Sequence, residues 1–311
     1  MTGLRRLPVL LATVGLILAA CSSAASPTPA PASVPPASVA PASVAPASEA
    51  PATPIPGGLL DAVMKAGTIR VSTDPNYAPQ SFLKPDGTYE GFDIDVANEI
   101  GKRLGVKVDF VTPGWDVITA GKWANRWDIS VGSMTITVPR QQVLDFTVPY
   151  YYYTPAQMAA TTKSGITTLD GLAGKDICVG SATTYQDWLN GTLQSVSLGP
   201  VATPPAGAKA HPMDTDQLCA QAIKAGQNVG DGFLTAGPTV DQAISIGTPV
   251  VKVGDPVYTE QLAVSLDKSG LNDADMVTAL NKIIADMHND GTLTNLSMKW
   301  YKADLTKAPG A

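Results

Sequence analysis

The stretch MTITVPRQQVLDF, residues 134–146, sets one arginine, Arg140, directly after a proline and between two apolar runs. A guanidinium presents a planar, two-pronged set of donors that fits a carboxylate, which a lysine ammonium does not reproduce. Other polar residues follow runs that read as strands: Asp74 and Tyr77 in STDPNYAP, and Ser133 and Thr135 in GSMTIT. In GSATTYQDW, Thr183 and Thr184 lead into a helix, whose unpaired N–H groups and positive dipole end suit an anion. Singly, each has an ordinary reading as turn residue, cap or solvated charge, and the run of tyrosines at 150–153 reads as core packing. The means of covalent catalysis are missing. There are two histidines, His211 and His288, with no HExxH, no GxSxG and no glycine-rich phosphate loop, and nothing marks two of the many carboxylates as an acid–base pair.

The elements around these residues have readable periods. TIRVSTD and VKVDFV alternate as strands, and WDISVGS reads as a third. Between the first two, DIDVANEIGKRLG places Ile94, Ala97, Ile100 and Leu104 on one helical face behind Asp93 as the expected N-cap. Strand, helix and strand in short order imply a parallel sheet with helices on its faces, and such sheets bind ligands beyond the carboxyl ends of their strands. The pattern restarts with DICVG, helices at TTYQDWL and DQLCAQAIKAG, and strands at PVVKVG and LAVSLD. The chain closes with two helices broken at Asp290-Gly291. Two α/β units therefore share it.

Of the 311 residues, 44% are hydrophobic and 15% charged, enough for a sizeable core. The net charge of -6 and scattered basic residues provide no field for a phosphate backbone, so no nucleic-acid partner is expected. At the start, Arg5 and Arg6 precede a short apolar run ending in LAAC, the shape of an export signal over residues 1–20. LAAC resembles a bacterial lipobox, which implies lipidation at Cys21 and a membrane tether, with a plain secretory signal as the alternative. Residues 22–56 are almost entirely Ala, Pro, Ser, Val and Thr. At ~3.1 Å per residue they form a semi-rigid spacer reaching on the order of 100 Å, without a core. In an exported chain, Cys178 and Cys219 are either a disulfide or two buried thiols.

Three segments in order, GTIRVSTDPNYAPQSFLKPDGTYEGFDIDVANEIGKRLG, GSMTITVPRQQVLDFTVPYY and MHNDGTLTNLSMKWY, resemble the polar amino acid-binding proteins of ABC importers, the group containing histidine- and glutamine-binding proteins. The resemblance implies a type II periplasmic-binding-protein fold: two α/β lobes, each a mixed, mostly parallel sheet flanked by helices, joined by two hinge strands. Lobe one is then 57–153 plus 258–311 and lobe two 154–257. By the same resemblance, Arg140 grips a ligand α-carboxylate, and Ser133 and Thr135 meet carboxylate and amino group. Thr183 and Thr184 contact the carboxylate from the other lobe, Asp74 and Tyr77 face the ligand side chain, and Trp115 stacks on it. It further implies a Cys178–Cys219 bridge, no cofactor, a monomer, and ABC permease subunits as partners.

One departure stands out. Members of this group have a lobe-two aspartate that pairs with the ligand ammonium, whereas VGDGFLTAGPTVDQ places Thr235 or Ala236 there. Asp231 aligns with an upstream structural aspartate, and either the ligand lacks an ordinary primary ammonium or Asp241, Asp74 or another carboxylate meets it. Two alternatives to a transport role are a cyclohexadienyl (prephenate or arogenate) dehydratase on the same fold, with Asp74 as its acid, and a ligand-sensing partner of a receptor.

Overall fold

The computed structural model describes residues 52–148, 151–196 and 199–308. The export signal, Cys21, most of the spacer and Tyr150 lie outside the described residues. In chain order the elements are α1 (Leu59–Ala66), β1 (Thr68–Ser72), β2 (Asn76–Tyr77), β3 (Ser81–Leu83), β4 (Tyr89–Glu90), α2 (Phe92–Leu104), β5 (Lys107–Val111), α3 (Trp115–Thr119), β6 (Ile129–Thr135), α4 (Val138–Val143) and β7 (Leu144–Phe146). Then come β8 (Tyr152–Thr161), β9 (Asp176–Gly180), α5 (Thr184–Leu189), β10 (Lys209–Met213), α6 (Asp216–Lys224), β11 (Gly232–Ala236), α7 (Gly237–Ser245), β12 (Val250–Lys252), β13 (Tyr258–Asp267), α8 (Ala274–Asn289) and α9 (Thr292–Tyr301).

One sheet runs through the molecule in the order β10-β9-β11-β8-β13-β6-β1-β5. At one end β5, β1 and β6 are parallel, and at the other β10, β9 and β11 are parallel. The two ends are joined by the antiparallel ten-residue strands β8 and β13. Tyr152 to Ala156 of β8 pair with β13, after which β8 continues against β11 while β13 continues against β6 and β7. Each long strand thus belongs to both halves, which is the two-lobed architecture with two crossover strands. The first lobe has its core where α1, α2 and α8 cover the sheet, around Ile69, Ile100, Ile129, Leu280 and Ile284. In the second, separate clusters form around Ile177 and Trp188, and around Cys219, Ile223 and Phe233.

Several expectations need correction. Asp93 is not the N-cap of α2, because Gly91 holds that place at φ 133° and makes no side-chain cap. A Cβ at Gly91 would stand 2.2 Å from the Gln80 carbonyl oxygen, so glycine is required by the close approach of two backbones. The strand read at WDISVGS starts at Ile129 and runs, buried throughout, two residues further to Thr135. The run read at LAVSLD begins four residues earlier, at Tyr258. The break at Asp290-Gly291 is as expected, with Gly291 left-handed at φ 77°.

Candidate functional site

Arg140 is placed by α4. Thr137 caps this helix by accepting from the Arg140 N–H, and Pro139 presets the first turn. Only 7% of Arg140 is exposed. Its Nη1 donates to the Thr135 carbonyl at 2.9 Å and its Nη2 to the Ala182 carbonyl at 3.1 Å, on the opposite lobe. The guanidinium carbon lies 5.4 Å from the centre of the Trp115 ring, over its face. Among the described residues no carboxylate comes within the 4.0 Å of an ion pair with it. Burial pushes its pKa down, while Glu260 and then Asp187 work against that shift. A desolvated cation held only by two carbonyls retains unused N–H donors.

Glu260, on β13, is 2% exposed and lies in the same cleft. Thr135 Oγ1 donates to its Oε1 at 2.5 Å and Thr184 Oγ1 to the same oxygen at 2.6 Å, while the Tyr185 hydroxyl donates to Oε2 at 2.7 Å. Burial raises its pKa, and these hydroxyls and Arg140 pull it back. Thr183 caps α5, accepting from the Gln186 N–H and donating to the Gly180 carbonyl at 2.7 Å.

Beyond these groups stand Asp74, Tyr77, Trp115, Asp214 and Asp216. The Asn76 N–H donates to Asp74 at 2.7 Å, yet burial raises the Asp74 pKa to about 6. Asp216 opens α6 and accepts from the Gly180 N–H, and burial, with Glu260 and Asp74 nearby, raises it to about 8. The Tyr77 and Tyr185 hydroxyls lie 3.2 Å apart, and Trp115 Nε1 donates to the Ala182 carbonyl at 3.2 Å. Asn76 Nδ2 also reaches Thr215 Oγ1 at 3.2 Å. With these contacts crossing between lobes, the cleft is closed. It encloses about 440 Å³ of empty space, part of it open to solvent.

A buried network supports the floor. Ser133 is held at φ 55°, its N–H donates to the Tyr151 hydroxyl, and its own hydroxyl donates to Asp93 and meets the Tyr152 hydroxyl. Tyr151 also donates to Asp93. Burial raises Asp93 to about 7, and these hydroxyls oppose the shift.

The structure brings Asp74, Tyr77, Trp115, Ser133, Thr135, Arg140, Thr183 and Thr184 to one cleft. Thr235 is fully buried on β11 and does not line it, and Ala236 is likewise buried. Asp241 is ruled out as a substitute acid, because it pairs with Lys252 at 2.6 Å on the surface. The hydroxyls of Thr135 and Thr184, expected to face a ligand carboxylate, donate to Glu260. Glu260, Tyr185 and Asp216 were missed. Glu260 stands in YTEQLAVSLD, a strand that also carries Asp267, so acid character alone did not set it apart. Cys178 and Cys219 form the disulfide, joining β9 to α6. No cluster of three His, Cys, Asp or Glu suited to a metal ion occurs among the described residues.

Residues 69–303 match the family model of the bacterial extracellular solute-binding proteins, family 3. The chain is 32% identical over 258 residues to the L-cystine-binding protein TcyJ of Escherichia coli, covering 80% of this chain and 88% of that one. It is 28% identical over 242 residues to the lysine/arginine/ornithine-binding periplasmic protein of Escherichia coli, covering 75% and 87%. Among solved structures, the ancestral amino acid-binding protein AncCDT-1, a precursor of cyclohexadienyl dehydratase, superposes with a TM-score of 0.66 at 29% identity, covering 78% of this chain and 99% of that one.

Proposed function

The chain belongs to the bacterial extracellular solute-binding proteins, family 3, and from that premise we propose that it captures an amino acid by closure of two lobes and delivers it to an ABC permease. The observation that carries this reading is Arg140. A buried guanidinium with two carbonyl acceptors and, among the described residues, no carboxylate partner is complementary to a carboxylate brought by a ligand. Carbonyls from both lobes hold it, so the complete anion site exists only in the closed state. Binding then drives closure through differential affinity for that state. The lobes are 57–153 with 258–311, and 154–257.

The far end of the cleft supports a positively charged ligand side chain. Past Asp74 and Trp115 it opens into a second space of about 830 Å³ that Asp116 and Asp214 also line. Carboxylates on several sides favour a cationic nitrogen remote from the α-carbon. Both L-cystine and the basic amino acids carry one, and these are the ligands named for two relatives. The relatives in this comparison are binding proteins, and no covalent step is assigned to this cleft.

The site works outside the cytoplasm, on a monomer tethered through lipidated Cys21 and the Ala/Pro/Ser spacer; LAAC and the preceding apolar run support the tether. A thermal-shift screen of the full chain against the twenty amino acids, L-cystine and L-ornithine tests the reading. A ligand at 100 times its Kd adds about 2.7 kcal/mol of stability. Stabilisation by at least one amino acid is expected, with prephenate and arogenate not turned over; no response to any amino acid defeats the reading.

A further inference from the structure

Arg140 and Glu260 are opposite charges buried in one cleft, and Thr135 touches both: its carbonyl accepts from Arg140 and its hydroxyl donates to Glu260. Each is also the leading charged neighbour of the other. Even so, the two heads form no ion pair within 4.0 Å. Leaving a buried cation and a buried anion close but unpaired is costly for each. What removes both costs at once is a zwitterion lying between them, carboxylate toward the guanidinium and ammonium toward the carboxylate.

Glu260 has capacity for that contact. A carboxylate has about four lone-pair positions; two hydroxyls use those on Oε1 and one hydroxyl uses Oε2, so Oε2 retains one. The three donors are neutral hydroxyls, which fix the carboxylate without neutralising its charge. The competing acids are less suitable. Asp216 shares no hydrogen-bond partner with Arg140, as Glu260 does through Thr135, and Asp241 is paired with Lys252 at the surface. Asp74 lines the wider, outer space as well as the inner one, so it faces the far end of the ligand.

We propose that Glu260 accepts the α-ammonium of the bound amino acid, taking the role left open by Thr235 and Ala236 in lobe two. This rests on the amino-acid reading above and adds to it the residue that recognises the amino group. Position gives the assignment a further consequence. Glu260 pairs with Thr154 where β13 crosses from lobe to lobe, and its donors come from both sides, Thr135 from one and Thr184 and Tyr185 from the other. The ammonium site is therefore assembled by closure, and recognition of the amino group is coupled to the hinge.

The test is calorimetry on the full chain with three pairs of probes, each an amino acid and its analogue lacking only the α-amino group: L-lysine with 6-aminohexanoate, L-arginine with guanidinopentanoate, and L-histidine with imidazolepropionate. Wild type is expected to prefer the tightest-binding amino acid over its analogue by ~100-fold, as for loss of one partner of a buried charge pair. Glu260→Gln, which keeps shape and hydrogen bonding, should reduce that preference to less than about tenfold by weakening the amino acid alone. Glu260→Asp keeps the charge and should retain part of the preference, which a merely structural role does not predict. An unchanged preference in Glu260→Gln overturns the assignment, as does equal loss of amino acid and analogue in both variants. If wild type binds no amino acid, the broader reading falls and this one with it.

Discussion

At the scale of single residues, the cleft is one of unequal charge. Four carboxyl groups, Asp74, Asp214, Asp216 and Glu260, line it with one guanidinium, Arg140. A neutral zwitterion uses one of each sign and leaves negative potential for a second cationic nitrogen. Asp74 and Asp214 both line the inner and the outer space, and Asp74 is the more buried of the two, so on the proposed reading it is the acid placed to receive it. Asp74→Asn should therefore erase most of the preference for L-arginine over the uncharged L-citrulline, a change of about tenfold or more measured by competition binding. The positions of Arg140 and Asp74 were legible because each follows a strand, where an α/β sheet puts its ligands, whereas Trp115 was implied by the resemblance alone. Glu260 was not, because a strand crossing between lobes has no marker in the period of its residues.

At the scale of elements, short-range patterns were read well and long-range ones poorly. Helices α2, α6 and α8 declare themselves by apolar period, β1 by alternation and β9 by a short apolar run before a turn. The strands β8 and β13 become hinges only through long-range pairings, such as Thr154 with Glu260, 106 residues apart. Asp93 shows how tertiary context overrides a local rule: it has the chemistry of a cap but is drawn into the core by Ser133 and Tyr151. The cap falls to Gly91, and Gly91→Ala should destabilise the protein by more than ~1 kcal/mol, read by chemical denaturation, because the φ and the Gln80 carbonyl both exclude a side chain. The disulfide ties β9 to α6, the two elements also joined where the Gly180 N–H donates to Asp216 of the cleft. Its 41-residue separation predicts that replacing Cys178 and Cys219 by alanine lowers unfolding free energy by ~4 kcal/mol; an effect below ~1 kcal/mol contradicts this.

At the scale of the whole molecule, the fold holds buried acids whose pKa values are raised, Asp74 to about 6, Asp93 to about 7 and Asp216 to about 8. Between their ordinary values near 4 and these raised ones, the folded state holds more protons than the unfolded state. Stability of the ligand-free protein should therefore fall as pH rises from 5 to 8, seen as a declining melting temperature, and a rise would contradict it. A cationic ligand opposes this by favouring ionised carboxylates, so its binding should release protons, visible as a dependence of binding enthalpy on the buffer. The central claim is that a closing cleft grips an amino acid through Arg140. Its most direct test is calorimetry of wild type and Arg140→Ala with the amino acid that stabilises wild type most. The account predicts a loss of ~100-fold or more in affinity with the ligand-free fold intact, and equal affinity in the two proteins would contradict it.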